Sequence, residues 1–218
     1  HQIECNAPSC VLVSLPKAKP NTPQNSFENL QVLSITHPAL IKYLGERCID
    51  IEIARTVCKE LHFDTRGKHY FGIGFPNIAG GYEIRNPFFK GGITPKDISL
   101  FHNEESKQSC FVFEGFIDFL SFMMLRRKEN DGLKRQDYLV LNSVSNIQKA
   151  LEPLSHYENV QCFLDNDEAG RNAYKQLSEE LGSSVLDSSS LYSDFKDLND
   201  YLCAEFKHSE KAENKKIK

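Results

Sequence analysis

The sequence predicts an α/β protein in which a parallel sheet flanked by helices follows a smaller, basic α+β subdomain. Three observations support this prediction. From residue 110 onward, short apolar strands alternate with helical segments, which is typical of a parallel sheet. Residues 61–101 are rich in glycine and predict short strands joined by turns. Ahead of them, the apolar residues from 31 onward follow a helical pattern.

The N-terminal half divides into an arm and a subdomain. Residues 1–30 contain four prolines and no periodic apolar pattern, which favours a flexible arm. The subdomain at 31–108 is predicted to begin with a helix at 37–44, which has proline in its first turn, and a second helix after Asp50, its N-cap. A hairpin follows, with strands at 69–76 and 82–85 and a Gly-Gly turn between them.

The second domain is predicted at 109–206. Its strands are expected at 110–113, 138–142, 160–164 and 184–186, and its helices at 116–128, 146–153, 169–181 and 197–203. The tail at 207–218 is rich in lysine and glutamate, and we expect it to be disordered.

Composition narrows the function classes. The 218 residues are 40% hydrophobic, which is enough for a core, but no apolar run is long enough to span a membrane and no secretory leader is visible. We therefore expect a cytoplasmic protein, and a first residue other than Met suggests a fragment or a processed form.

The net charge is −4, with 19 acidic against 14 basic residues in 109–218. This balance excludes a protein that coats DNA by overall charge, so contacts with nucleic acid are expected to be local and basic, or assisted by metal.

The seven cysteines do not suggest a disulfide framework. Their number is odd and no Cys-x-x-Cys motif occurs, so a zinc ribbon is also unsupported. Cys110 and Cys162 fall inside predicted buried strands, where cysteine acts as a small apolar residue. Cys5 and Cys10 are interpreted as free thiols, with a truncated metal-binding knuckle as the alternative.

Carboxylates follow two of the predicted parallel strands. Glu114 comes directly after the strand at 110–113, and Asp165 and Asp167 come after the strand at 160–164. Parallel strands end at one edge of a sheet, and alternation sends both aspartates to the same side with Asn166 pointing away. Three such acids would repel one another unless a cation lay among them. Carboxylates are hard ligands of the kind Mg²⁺ or Mn²⁺ prefers, so the pattern predicts a divalent-metal site and phosphate chemistry.

Other polar residues are predicted near this edge. Asp118 lies one turn along the next helix and can reach back toward the acids, and Asn142 ends another strand. Arg171 near the start of its helix is a candidate to bind phosphate or to pair with the acids. The alternative for Asp-x-Asp, taken alone, is a helix cap and a turn.

Three motifs in this half resemble the Toprim domain shared by topoisomerases, bacterial primases, some nucleases and recombination proteins. They are Phe-Glu-Gly-Phe-Ile-Asp at 113–118, Phe-Leu-Asp-Asn-Asp-Glu-Ala-Gly-Arg at 163–171, and Lys-Asp-Leu-Asn-Asp-Tyr-Leu at 196–202. The last two resemble the primase branch most. The resemblance covers about 109–203 and implies that Glu114, Asp165 and Asp167 are the catalytic, Mg²⁺-binding acids, with Asp118 as a supporting ligand.

A weaker resemblance to primases extends upstream. Tyr-Leu-Gly-Glu-Arg-Cys-Ile at 43–49 is similar to a segment that precedes primase catalytic cores, and residues 75–96 look like the basic subdomain beside the Toprim fold. There Arg85, Lys90 and Lys96 would face the phosphates of template, primer or nucleotide. The alternative is a solvated basic hairpin.

The resemblance implies a primase-like nucleotidyltransferase that makes RNA primers on single-stranded DNA from NTPs, in replication or mobilisation of DNA. A helicase or a mobilisation protein would be a further partner. Mobile elements of Bacteroides-type bacteria often carry such Toprim-like proteins. A Toprim nuclease and a non-catalytic DNA-binding accessory module are the alternatives. The zinc-binding and helicase domains of primases have no counterpart in these residues, and Asn-Ser-Val-Ser at 142–145 replaces the Gly-Thr that often follows the second Toprim strand.

Overall fold

Two β-sheets share the main apolar core of the protein. The computed structural model describes residues 11–12, 27–103, 108–128 and 136–216. Its strands are β1 (Val11–Leu12), β2 (Glu28–Leu33), β3 (Lys59–Thr65), β4 (Lys68–Pro76), β5 (Tyr82–Asn86), β6 (Phe89–Ile93), β7 (Ser99–His102), β8 (Ser109–Phe113), β9 (Asp137–Val140), β10 (Asn159–Phe163) and β11 (Val185–Asp187). Its α-helices are α1 (Pro38–Glu46), α2 (Ile51–Val57), α3 (Phe116–Lys128), α4 (Ile147–Leu154), α5 (Glu168–Leu181) and α6 (Leu198–Lys216).

The larger sheet confirms the predicted α/β fold. Its order is β1-β7-β9-β8-β10-β11, and the four strands β9, β8, β10 and β11 run parallel. These are the four strands that the alternating pattern predicts. Antiparallel β7 and β1 extend one edge. β7 lies ahead of the predicted boundary at 108–109 and yet belongs to this sheet.

The smaller sheet is an antiparallel meander with the order β2-β3-β4-β5-β6. Strands β4 and β5 form the predicted hairpin, in which Gly74 pairs with Ile84. A second hairpin joins β5 to β6, where Asn86 pairs with Phe89 across a two-residue turn.

The structure corrects the prediction for the residues around 31. A helical pattern was expected from there, but β2 occupies Glu28–Leu33, and α1 begins only at Pro38. β2 is an edge strand whose six residues are all exposed, so it has no alternating burial pattern that a sequence can reveal. Its pairing with β3 is a long-range contact. Of the predicted arm at 1–30, the described residues include β1, which pairs with β7, and the start of β2. Cys5 and Cys10 lie outside the described residues.

The prediction of disorder after 207 is also wrong for most of that tail. Helix α6 continues to Lys216. Lysine, glutamate and alanine are good helix formers, and extending a helix that already exists costs less than starting one. The low hydrophobicity that favoured disorder therefore does not prevent helix formation here.

The predictions for two helix starts and for two buried cysteines are confirmed. Pro38 occupies the first turn of α1, and the side chain of Asp50 caps α2 by accepting a hydrogen bond from the N–H of Glu52 at 2.7 Å. Cys110 and Cys162 are fully buried, and burial raises the pKa of both thiols. Among the described helices none is both long and apolar enough to cross a membrane.

The main core joins the two sheets. It includes Phe75 of β4, Phe113 of β8 and Phe119 of α3. The ring of Phe75 stacks on Phe116 with centroids 5.1 Å apart. A second cluster packs α4 and α5 on the other face of the larger sheet. The antiparallel sheet is thereby fixed next to the carboxyl ends of β8 and β10.

Candidate active site

A cavity of about 860 Å³ lies between the two sheets. One part of its lining, here called the acidic wall, consists of four carboxylates from the segments that follow β8 and β10 and precede α6: Glu114, Asp118, Asp165 and Asp197. Another part, the basic wall, consists of four cations from the C-terminal end of α1, from β5 and β6, and from the segment after β6: Arg47, Arg85, Lys90 and Lys96. The cavity therefore brings opposite charges to a single space.

Glu114 is placed by the pairing of β8 with β10. The register Phe113 to Phe163 puts the two strand ends level, and the backbone N–H of Asp165 donates to the Glu114 carboxylate. The other carboxylate oxygen, Oε2, is buried without a hydrogen-bond partner. Burial raises the pKa of Glu114, and the charge of Asp167 raises it further. A buried carboxylate oxygen without a donor is costly, so this atom is suited to a cation or a ligand.

Asp165 is also perturbed by its surroundings. The pKa of Asp165 is raised to about 7, mainly by burial and in addition by the charges of Glu114, Asp197 and Asp167. Lys196, which also lines the cavity, acts in the opposite direction. The predicted repulsion between the strand-end acids is therefore present in the structure.

Asp118 lies at the base of the acidic wall. It is buried in the first turn of α3 and accepts a hydrogen bond from the N–H of Asn199 at 3.3 Å. Burial raises the pKa of Asp118 well above its ordinary value, with further contributions from Asp165 and Asp197. The electrostatic effect of Asp165 on Asp118 agrees with the prediction that Asp118 lies near the strand-end acids.

Asn199 fastens the acidic wall to the basic wall. Its side chain is buried and donates to the carbonyl of Arg47 at 2.9 Å and to Ser121 Oγ at 2.9 Å. It also accepts from Arg47 Nη1 at 3.1 Å. Three elements, α1, α3 and α6, are held together by this one amide. The asparagine of the motif at 196–202 thus has a structural task, because it positions Arg47 and the start of α6.

Two predicted site residues do not line the cavity. Asp167 is the N-cap of α5, where its Oδ1 accepts from the N–H of Gly170 at 3.0 Å. Arg171 donates to the carbonyl of Asn166 at 2.8 Å. The helix-cap alternative thus describes the Asp167 side chain, although its charge still acts on Glu114 and Asp165. The roles predicted for Asp167 and Arg171 remain predictions.

The residues between and after these acids pack tightly. The Asn166 side chain points away from the cavity, as predicted, and donates to the carbonyls of Tyr192 and Phe195 at 3.0 Å each. A Cβ added at Gly170 would lie 2.1 Å from the carbonyl oxygen of Asp165. Only glycine fits at this position of α5. The missing side chain lets the Asp165 backbone lie directly against the helix.

The basic wall contains the three cations predicted from the sequence. Arg85 lies over the ring of Phe116 with its guanidinium carbon 5.6 Å from the centroid. Burial lowers the pKa of Arg85, and Glu83 and Asp118 oppose that shift. Burial raises the pKa of the neighbouring Glu83, against the charges of Arg85, Lys96 and Lys90. The structure thus brings Arg85, Lys90 and Lys96 to the same cavity as the strand-end acids.

Sequence reasoning missed several cavity residues. Arg47, Lys196 and Asp197 line the cavity and lie inside the motifs at 43–49 and 196–202, so the resemblance of these motifs to primases is the feature of the sequence that points to them. Glu83 gave no signal, because a single acid in a basic hairpin has no distinctive spacing. Asn142, placed by the sequence at a strand end, does line the cavity, and its Oδ1 is buried without a partner.

The acidic wall fits a divalent cation in its chemistry, although not as a complete set of protein ligands. Within the described part of the chain, no three His, Cys, Asp or Glu side chains form a group that could hold a metal ion by themselves. The predicted set of Glu114, Asp118, Asp165 and Asp167 therefore does not form such a group by itself, with or without Asp167. Mg²⁺ usually needs only one or two carboxylates, together with water and substrate phosphate. Glu114 and Asp165 would be these carboxylates. Oε2 of Glu114 has no hydrogen-bond partner, and the two acids repel each other, so a cation between them would be favourable.

Two segments match known protein families. Residues 111–202 match the Toprim-like family. Residues 29–94 match a domain of unknown function, DUF8464. No curated protein matches the sequence.

Solved structures of primases share the fold. The primase fragment of the bacteriophage T7 primase-helicase protein is 19% identical, with a TM-score of 0.57 over 91% of this chain and 82% of that one. A second structure shows the bacteriophage T7 lagging-strand DNA polymerase interacting with the primase domains of two gp4 subunits, which are bound to an RNA/DNA hybrid and dTTP. The matched chain is 19% identical to this one. Its TM-score is 0.55 over 86% of this chain and 91% of that one. The Aquifex aeolicus primase, with its zinc-binding and RNA polymerase domains, is 17% identical, with a TM-score of 0.50 over 71% of this chain and 50% of that one. At these identities the likeness shows a common fold.

Proposed function

We propose that this chain, whose residues 111–202 match the Toprim-like family, is the catalytic core of a primase-like nucleotidyltransferase. It would make RNA primers from NTPs on a single-stranded DNA template. The observation that carries the proposal is the cavity in which the acidic wall and the basic wall meet. The primase fold of the solved structures supports the choice of reaction.

The two walls suit the two demands of phosphoryl transfer. In the proposed reaction the 3′-hydroxyl oxygen of the growing primer attacks the α-phosphorus of an NTP, and pyrophosphate leaves. Arg85, Lys90 and Lys96 would bind the phosphates and stabilise the negative charge that develops on them. Arg47, held by Asn199, adds a fourth cation whose orientation is fixed.

The acidic wall would hold the divalent cation that such reactions require. Glu114 and Asp165 are the proposed Mg²⁺ or Mn²⁺ ligands, with Asp118 and Asp167 in support. When bound, the cation would polarise a phosphoryl oxygen and neutralise charge. When no cation is bound, the charge of Lys196 partly offsets the charges of Glu114 and Asp165.

A Toprim nuclease is the second candidate function, because the same acids would serve with water as the nucleophile. The basic wall favours the primase reaction over the nuclease reaction, since it offers several cations for a triphosphate as well as a template. A DNA-binding accessory module without catalysis is the third candidate. It would use the basic wall alone.

A template assay separates the three functions. The protein is incubated with single-stranded DNA, the four NTPs labelled at the α-phosphate, and Mg²⁺ or Mn²⁺. We expect short labelled RNA products. Shortened, end-labelled DNA would instead establish the nuclease, and binding without either product would establish the accessory module.

Two isosteric variants test the acidic wall in the same assay. Glu114→Gln and Asp165→Asn remove a charge with little change in shape, and we expect a loss of about 100-fold or more in product formation. Glu179→Gln is the matched control, because Glu179 is exposed on α5 and lies outside the cavity lining. Full activity of both cavity variants would contradict the proposal.

The cellular setting is part of the proposal. One primase of the same fold is a fragment of a primase-helicase protein, which supports a helicase as a partner of this chain. Stimulation of primer synthesis by a replicative or mobilisation helicase would test it. Because templates and NTPs meet in the cytoplasm of bacteria, we place the reaction there.

A further inference from the structure

The tip of the β5–β6 hairpin carries an aromatic ring that nothing in the described protein covers. Phe88 is 97% exposed, the largest exposed fraction among the large hydrophobic side chains of the described residues. It lies at the rim of the cavity, in the same hairpin as Arg85 and Lys90 of the basic wall. An exposed phenylalanine is not unusual by itself, but its position beside these cations is informative.

The turn that presents Phe88 is restrained by a proline and two hydrogen bonds. Pro87 has a restricted φ, and Asn86 Oδ1 accepts a hydrogen bond from the N–H of Phe88 at 2.9 Å. The amide of Asn86 also donates to the carbonyl of Phe71 at 2.7 Å, which ties the turn to the neighbouring strand β4. The ring is therefore held out at the rim by a fixed backbone, so binding there would cost little backbone entropy.

A second aromatic ring supports the same surface. Phe89 is partly exposed and lines the cavity, and its ring lies over the bare backbone of Gly91, where an added Cβ would be 2.3 Å from Cζ. Phe88 and Phe89 therefore line the same cavity as the cations Arg85, Lys90 and Lys96.

We infer that Phe88 is a stacking platform for an unpaired base of the single-stranded template, whose backbone phosphates contact Lys90 and Lys96. Single-strand binding sites combine aromatic rings for the bases with a basic groove for the backbone, because every base has a π-face and every nucleotide has a phosphate. The charges near Phe88 favour a polyanion over an apolar peptide as the occupant. This inference rests on the proposed function, since it names the contact that holds the template.

Binding of a fluorescein-labelled, single-stranded oligodeoxynucleotide to the whole chain tests the platform. We expect Phe88→Ala to weaken binding about 5-fold to 100-fold, the range for loss of one stacked base. Phe88→Tyr retains the ring and should bind like the wild type, whereas Phe88→Leu retains apolar area without a π-face and should resemble Phe88→Ala. Leu191→Ala is the control, because Leu191 is another highly exposed apolar residue and lies outside the cavity lining.

Photo-crosslinking identifies the contact directly. An oligonucleotide that carries 5-iodouracil is irradiated in the complex, and the crosslinked peptide is identified by mass spectrometry. We expect the peptide that contains Phe88, and we expect the crosslink to be lost in Phe88→Leu.

The outcomes separate this inference from the proposed function. If the wild type binds DNA and makes primers while Phe88→Ala binds equally well, the platform is refuted and the proposed function stands. If the wild type binds the oligonucleotide without making product, a crosslink at Phe88 still supports the platform. If the wild type does not bind the oligonucleotide, the platform is refuted together with the template contact that it assumes.

Discussion

The two walls of the cavity are built in different ways. The acidic wall is formed by backbone segments that follow strands of the parallel sheet, and buried groups such as Asn199 and Gly170 hold it in place. Much of the basic wall is formed by a hairpin whose tip, with Phe88, Phe89 and Lys90, is exposed to solvent. Like charges that must stay close together need a rigid support, whereas cations that follow a flexible polyanion do not. The comparison predicts that the acidic wall is sensitive to packing and that the basic wall is sensitive to salt.

The largest difference between the walls is expected in the free energy of unfolding when one glycine in each is replaced by alanine. Gly170→Ala places Cβ against the Asp165 carbonyl, so we expect a loss of about 1–3 kcal/mol in the free energy of unfolding. In Gly91→Ala the contacts are with the ring of Phe89, which can rotate away, so the change should be well below 1 kcal/mol. Urea denaturation measures both. Equal losses would show that the two walls are equally rigid.

A divalent cation should stabilise the protein through the acidic wall alone. At a concentration about ten times its Kd, Mg²⁺ or Mn²⁺ would add about 1.4 kcal/mol to the free energy of unfolding. Asp165→Asn should remove this gain, and Lys90→Ala in the basic wall should retain it. Thermal unfolding with and without EDTA gives the measurement, and a gain that survives in Asp165→Asn would exclude this site for the cation.

Without metal, the acidic wall should make stability depend on pH. The pKa of Asp165 is raised to about 7, so the folded state keeps a proton that the unfolded chain releases near pH 4. Stability is therefore expected to fall as the pH rises from about 4 to about 7 in EDTA. Asp165→Asn should flatten this fall, and Glu179→Gln on exposed α5 should leave it unchanged. Urea midpoints across the pH range test the prediction, which fails if the wild type and Asp165→Asn follow the same curve.

The smallest effect is expected in the salt dependence of DNA binding. Lys90→Ala should lower the slope of log K against log salt by about 1, with a several-fold loss of affinity at low salt. Phe88→Ala should weaken binding without a change of slope, because its ring carries no charge. Fluorescence anisotropy over a salt series measures both. An unchanged slope in Lys90→Ala would mean that Lys90 does not contact phosphate.

Much of the larger sheet could be predicted from the sequence. Its parallel strands are short apolar runs that end at polar residues, and this pattern is local, so Glu114 and Asp165 were identified together with their sheet edge. Strand β2 could not be predicted, because an exposed edge strand has no periodic burial pattern. The helical tail was missed for a different reason, since its composition is compatible with both helix and disorder.

The sequence by itself determined the parallel sheet and the acids at its edge, because both depend on spacing along a short segment, whereas the cations of the hairpin were indicated only by the resemblance to primases. Only the tertiary structure decided which side chains of these segments reach the cavity. Asp167 caps α5 instead of joining Asp165 at the cavity, and Arg47 reaches the site through Asn199, 152 residues away in the sequence. The exposure of Phe88 was also decided there. These outcomes depend on packing and hydrogen bonding between distant segments, which local periodicity does not encode.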